Sequence, residues 1–431
     1  MSMTELIKSI TTVSRPFPDG QRVTALAVEY DRPVKAEDLK QEYFEAEKRT
    51  ITDICVSDRA DGKAQECGSF VILALDRGDQ EASTCTNPDG TRGHRRPPMP
   101  KPGENHKPPK REPIIFPDGR AFLGPHGISK ARAPLAQKVR QTSDIRAADG
   151  SVISAWEEAL VSDKEINELV DLFVQKQYED MAYNLFIPAD YDPEKKYPLL
   201  MFIEDAGCIG ENPVIALEQG IGATIWVTEE EQKKHPCFVA AIQHSKEFPI
   251  TNDNYWATDD IETVKSICDE LQKEYSIDPK RIYSTGQSMG CMSTFELMIR
   301  YPGYFAAGLP VAGHWGAEAT AQIWDQKVWF FMSDADKGAA GFYPKLKEAL
   351  DAIGARYSEY EIDANQPTAV LSEKIGPMAD DDCTFRITRY TGDSINRPDQ
   401  PDRTDGGGHN GTWHLTYMLE SVRDWLFRQS L

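Results

Sequence analysis

The sequence predicts two domains: a small β-sandwich over residues 1 to 165, then a mainly parallel α/β domain over 166 to 431. Three observations predict this. The first part reads as short, evenly spaced strands with almost no helical periodicity. Beyond it, apolar strands alternate with amphipathic helices. In that second part "RIYSTGQSMGCMSTFELMIRYP", residues 281 to 302, carries a β-rich run into a helix through a serine set between two glycines.

In the first part, "QRVTALAVEYD", "TITDICVSD", "GSFVILALD" and "LAQKVRQTSDIRAADG" show alternation or compact β-branched runs separated by Asp and Gly. Inside it lies "RGHRRPPMPKPGENHKPPKREP", residues 92 to 113, with seven Pro and seven Lys or Arg against two Glu. That composition predicts a basic, polyproline-like, solvated insertion. It either docks on an acidic or aromatic-lined partner or is an exposed loop of no fixed shape. The stretch "SVISAWEEALVSDKEINELVDLFVQKQYEDM" predicts a last strand and then a helical or irregular connector.

After it come the candidate strands "MAYNLFIP", "YPLLMFIED", "CFVAAIQ", "RIYSTG", "AAGLPVAG", "KVWFFMSD" and "ARYSEYEI". The candidate helices are "DDIETVKSICDELQKEY", "GCMSTFELMIRYP", "AGFYPKLKEALDAIG" and "TYMLESVRDWLFRQ". Unbroken apolar runs such as Leu199 to Ile203 are what strands covered on both faces look like, and intervening helices imply right-handed parallel crossovers.

Bulk properties narrow the function. The 431 residues carry a net charge of −21, which argues against nucleic acid or an anionic membrane surface as partner, because both repel such a protein. No apolar run is long enough for a membrane span. The start "MSMTELIKSITTV" lacks the apolar core and small-residue cleavage site of a secretory leader, so the expected location is cytoplasmic, or extracellular if a leader has been removed. The eight cysteines (55, 67, 85, 208, 237, 268, 291 and 383) show no paired spacing, so no metal site is expected and reduced thiols are the default. Cys55, Cys67 and Cys85 are near enough in sequence to pair in an exported protein.

The chemistry centres on Gly286-Gln287-Ser288-Met289-Gly290. A strand-to-helix corner this tight admits only glycine on either side and leaves the serine hydroxyl above the sheet. The plain alternative is an ordinary βα turn with a capping serine. A nucleophilic serine needs a base, and in this topology the order along the chain is Ser, acid, His. Three histidines follow Ser288. His314 precedes any plausible acid, which makes it a pocket or surface residue. In "DGGGHNGTWHLTY", His409 follows three glycines that let a flexible loop lay the imidazole over the sheet edge. His414 is expected to enter the last helix, so His409 is preferred. The acid is sought after the strand "KVWFFMSDADKG", where Asp336 is chosen and Asp334 held in reserve. The oxyanion would be held by the Met289 N–H and by Asp205 or Ala206 after "LLMFIEDAG"; Ala206 is taken as the donor. Gln287, Trp256, His314, Trp315 and Trp413 are candidate pocket residues.

Three segments, "YNLFIPADYDPEKKYPLLMFIEDAG", "IDPKRIYSTGQSMGCMSTFELMIRYPGYFAAGLPVAG" and "GHNGTWHLTYMLESVRDWLFRQ", resemble the α/β-hydrolase esterases grouped with polyhydroxybutyrate depolymerases, feruloyl esterases and predicted peptidases. The first part is similar to the immunoglobulin-like domain that precedes some of them. The resemblance implies Ser288 as nucleophile, Asp336 as acid, His409 as base and Met289 N–H in the oxyanion hole. It implies no cofactor. Two features depart from the group. Glu204-Asp205 stands where relatives carry His-Gly and sets two carboxylates beside the oxyanion loop. "FMSDAD" lacks the usual His-Gly turn but keeps the aspartate.

The function expected is a serine carboxylesterase for short-chain, aryl or hydroxycinnamoyl esters, free or polymer-linked. A serine peptidase on the same triad is one alternative, and a catalytically weak binding protein on a hydrolase scaffold is another. The sandwich is expected to support homo-oligomer formation or to shape the rim of the cleft.

Overall fold

The computed structural model describes residues 6–84, 114–115, 121–122, 134–210, 212–244, 249–396 and 407–431. The basic insertion at 92–113 and Cys85 lie outside them. The chain divides into two compact units, the first ending at Asp171 and the second running from Leu172 to Leu431.

In the first unit a five-stranded sheet runs in the order Lys164–Asn167, Ile7–Phe17, Gly20–Lys35, Cys67–Leu75, Ile51–Ser57. A three-stranded sheet of Leu160–Val161, Lys138–Gln141 and Phe44–Ala46 supplies the other layer. Val23, Leu26, Val28, Val71 and Leu73 share one buried cluster with Phe44, Val139, Ile145 and Trp156, so the two layers form a sandwich. The expected boundary after residue 165 is displaced to Asp171 because Lys164–Asn167 pairs in parallel with Ile7–Phe17. The predicted helical or irregular connector holds short strands, Leu160–Val161, Lys164–Asn167 and Val174–Tyr178, with a single helical turn at Val170–Leu172 between the last two. Ile7–Phe17 is a strand that its own pattern conceals, since Ser9, Thr11, Thr12 and Ser14 are buried. Several of these hydroxyls are paired: Thr12 with Ser162 at 2.7 Å, and Ser14 to Asn167 at 2.8 Å.

The second unit is one nine-stranded sheet. Its strands in chain order are β1 (Val174–Tyr178), β2 (Met181–Phe186), β3 (Tyr197–Ile203), β4 (Phe238–Gln243), β5 (Ile277–Gln287), β6 (Ala307–Val311), β7 (Val328–Ser333), β8 (Tyr357–Ile362) and β9 (Phe385–Tyr390). Their spatial order is β1-β2-β4-β3-β5-β6-β7-β9-β8. β1, β2 and β4 pair antiparallel, and from β4 across to β8 every pairing is parallel. β1 (VQKQY) and β9 (FRITRY) are not evident from hydropathy. In β9 the buried Arg386 is accommodated by donating to the carbonyls of Met378 and Asp381.

The helices that matter for the site are α1 (Asp260–Glu274), α2 (Met289–Arg300), α3 (Lys337–Ala352), α4 (Gly407–Thr416) and α5 (Glu420–Phe427). α1 buries Ile261, Val264, Ile267, Cys268 and Leu271, the three-and-four spacing of one helical face. α2 is buried almost all round, which fits its position against β5 and β6. Among the described residues no two cysteines form a disulfide. Among the described residues no helix is long and apolar enough to cross a membrane.

The corner between β5 and α2 is built on close backbone contact. A Cβ on Gly290 would stand 2.0 Å from the Ile203 carbonyl oxygen, and one on Gly286 would stand 2.6 Å from the same oxygen and from the Gly290 backbone. The obstacles are main-chain atoms of β3, which have no rotamer by which to yield. Gly290→Ala is therefore expected to destabilise the fold by about 3 kcal/mol, seen as a lower urea midpoint at unchanged slope.

Candidate active site

Parallel strands present their carboxyl ends at one edge of the sheet, and the loops leaving β3, β5, β6 and β7 meet there. Ser288 directly follows β5 and precedes α2. Its backbone has φ +55° and ψ −112°, a strained conformation for a residue with a Cβ. The Ser288 N–H donates to Val311 O at 3.1 Å, which ties the corner to the end of β6.

Asp336 follows β7 as the cap of α3, and its Oδ1 accepts the Gly338 N–H at 3.1 Å. Its Oδ2 lies 2.6 Å from Nδ1 of His409, and Nε2 of that ring lies 3.0 Å from Ser288 Oγ. Ser288, His409 and Asp336 thus form one hydrogen-bonded chain across residues far apart in sequence. Asp334 is not part of it. Arg389 donates to both of its oxygens at 2.7 and 2.8 Å, and the Gly392 N–H adds a third bond at 2.8 Å.

His409 does not sit on a flexible loop. It lies in the first turn of α4, which also carries the buried His414. Gly408, directly before His409, serves close packing: a Cβ there would stand 2.2 Å from the carbonyl carbon of Ala335, the residue before Asp336. Gly407 has φ +64°, the left-handed region. Trp413, one turn on, sets its ring edge-on to the His409 imidazole at 4.9 Å.

The surroundings of His409 pull its proton affinity in opposite directions. Desolvation of the ring opposes charge, but the hydrogen bond and negative charge of Asp336, reinforced by Asp205 and Asp253, outweigh it and raise the imidazole above its ordinary 6.5. Asp253 is itself held low, first by its contact with His314.

Ser288, His409, Asp336, Met289, Ala206 and His314 open into one cavity of about 320 Å³. Of the candidate pocket residues, His314 alone lines it. Trp315 is core, 3% exposed, with its indole N–H donating to Glu296 at 3.1 Å. Trp413 supports the histidine, Trp256 ends the turn capped by Asn252, and Gln287 is buried behind the serine. The sequence reading passed over Thr251, Asn252 and Asp253, which also line the cavity. The turn-forming "TNDN" was the available signal.

The two carboxylates in the loop after β3 part company. Glu204 is fully buried, turned to accept the His244 N–H at 2.7 Å, and burial pushes its carboxyl up to about 8. Asp205 accepts the Gly207 N–H at 2.7 Å and caps the turn Ala206–Cys208.

Residues 9–154 match the esterase immunoglobulin-like N-terminal domain family. Across 98% of this chain and 100% of the other, the fold superposes on the crystal structure of a thermostable esterase with a TM-score of 0.75 at 23% identity. A segment of 56 residues is 43% identical to the bifunctional acetylxylan esterase/xylanase XynS20E of Neocallimastix patriciarum. A segment of 51 residues is 39% identical to poly(3-hydroxyalkanoate) depolymerase C of Paucimonas lemoignei. These two matches span 13% and 12% of this chain, and 8% and 12% of the respective relatives. The first unit thus matches an immunoglobulin-like domain family of esterases, and the whole chain shares the fold of that thermostable esterase.

The Glu204 carboxyl binds its proton more tightly folded, with a pKa of about 8, than unfolded, near 4.5. The native state therefore holds the extra proton between these values, and stability falls as pH rises through that window. Glu204→Gln is expected to match the wild type in melting temperature near pH 4.5. Above pH 8 it should exceed the wild type by on the order of 2–4 kcal/mol.

Proposed function

We propose that this protein, an α/β-hydrolase behind an esterase-type immunoglobulin-like domain, is a serine carboxylesterase. The observation that carries the reading is the continuous hydrogen-bonded chain Ser288–His409–Asp336 opening into a cavity. His409 Nε2 takes the proton from Ser288 Oγ as that oxygen attacks the ester carbonyl. Asp336 accepts the Nδ1–H bond, fixes the tautomer and stabilises the imidazolium. Charge developing on the carbonyl oxygen meets the N–H of Met289, the first amide of α2, where unpaired donors and the helix dipole favour an anion. The N–H of Ala206 is the second donor. The imidazolium then protonates the departing alcohol, and water, activated by the same histidine, releases the acid. No cofactor enters the scheme.

The modest cavity favours a short acyl chain or a single aryl ring, so short-chain and aryl or hydroxycinnamoyl esters are the proposed substrates. The relatives named for acetylxylan and poly(3-hydroxyalkanoate) support ester rather than peptide cleavage. Rates on matched ester and peptide substrates separate the two reactions directly.

With p-nitrophenyl acetate the wild type is expected to give a stoichiometric burst of p-nitrophenol that Ser288→Ala abolishes, with steady turnover down by about 10³-fold or more. A wild type without burst or turnover would leave the hydrolase scaffold as a binding protein. The raised pKa of His409 gives kcat/KM an acid limb with its midpoint above pH 6.5, since the base must be neutral to act. Asp253→Asn removes one of the charges that raise it, so the limb should move to lower pH.

A further inference from the structure

The two N–H groups assigned to the oxyanion belong to different elements. Met289 starts α2, and Ala206 starts the turn after β3. Something must hold them in register, because donors 1 Å out of place lose much of their effect. Resting on the acyl-transfer reading above, we propose that Gln287 is a positioning residue that latches the oxyanion loop to the nucleophile corner through Asp205.

The geometry supports this link by link. Gln287 precedes Ser288 and is 1% exposed. Its Nε2 donates to Asp205 Oδ2 at 3.1 Å and to Gln219 Oε1 at 3.2 Å, which occupies both amide hydrogens. The other oxygen of Asp205 accepts the Gly207 N–H at 2.7 Å and so shapes the turn that begins with Ala206. A single carboxylate is therefore the shared node between the turn bearing one donor and the side chain next to the serine that precedes the other. Covalent bonds run from Met289 through Ser288 to Gln287, and hydrogen bonds continue through Asp205 to the amide one residue past Ala206. The side chain is also confined from behind. A Cβ on Gly222 would stand 2.9 Å from Gln287 Oε1, and that oxygen is buried without a hydrogen-bond partner among the described residues. The latch accounts for an aspartate in a loop that serves an oxyanion: its carboxylate is turned onto Gln287 and Gly207, and its remaining charge acts on His409, whose imidazolium it favours.

The test compares Gln287→Met, which keeps the length and removes the donor, with Asp205→Ala, which breaks the same bond from the half-buried end. Each is read by kcat and KM on p-nitrophenyl acetate and by Ki for an aryl trifluoromethyl ketone. This ketone adds to Ser288 Oγ: the new C–O bond forms, the carbonyl π pair becomes the oxyanion, and the serine proton passes to His409. Both variants should lower kcat about 10- to 100-fold with KM within about twofold, and should raise the ketone Ki by a factor similar to the loss in kcat. The double variant should be no worse than the poorer single one, because both remove one link. The acid limb of kcat/KM should move down in Asp205→Ala and stay in place in Gln287→Met. If Gln287→Met does not fold, Asp205→Ala carries the same expectation. Variants that keep wild-type kcat and ketone Ki, or that lose only KM or melting temperature, overturn the latch and leave the esterase reading intact. A wild type with no burst that Ser288→Ala does not alter removes the acyl-transfer reading first, and the latch with it.

Discussion

Two main chains approach closer at the β5–α2 corner than any side chain allows, and the site depends on that approach. Gly290 seats the first turn of α2 on the Ile203 carbonyl at the end of β3, and Gly286 lets the strand pass beneath it. The helix can then start at once, which forces Ser288 into φ +55° and lifts its hydroxyl off the sheet. Strain of this kind, on the order of 1–3 kcal/mol, persists only where the surroundings over-determine it. Here the buried α2, the bond from Ser288 N–H to Val311 and the parallel sheet below supply that determination. The same contact brings the β3 loop alongside Ser288, so one packing constraint sets both the serine hydroxyl and the backbone proposed as the oxyanion donor.

A second close approach positions His409. Gly408 lies against the backbone of Ala335, the residue before Asp336, so α4 docks directly on the loop that holds the acid. The short bond from His409 to Asp336 follows from that docking. Trp413, one turn along, then limits the ring from its edge. Gly408 serves close contact, and the histidine is presented by a helix.

An acidic protein must keep its carboxylates from interfering with one another, and each one near this site has a distinct partner. Asp336 faces His409, and Asp334 is neutralised by Arg389. Asp205 is held by Gln287 and Gly207, Asp253 by His314, and Glu204 is buried with its carboxyl pushed up to about 8, which leaves it largely uncharged at neutral pH. Together the carboxylates raise the His409 imidazole and set a negative field over the cavity.

Sequence by itself determined the fold class, the parallel strands from "YPLLMFIED" to "KVWFFMSD", and the order serine, aspartate, histidine, because hydropathy period and glycine placement are local properties. It did not reveal Ile7–Phe17, β1 or β9, where buried hydroxyls and Arg386 take their partners from distant strands. It also left Asp334 beside Asp336 with nothing local to separate them. In the tertiary structure the two part: Arg389, from β9, takes Asp334, and His409, from α4, takes Asp336. Tertiary structure likewise made Gly408 a packing contact against Ala335, and an awkward Asp205 a hydrogen-bonded node. Each such outcome depends on which side chain a remote element delivers within about 3 Å, a distance no local pattern encodes.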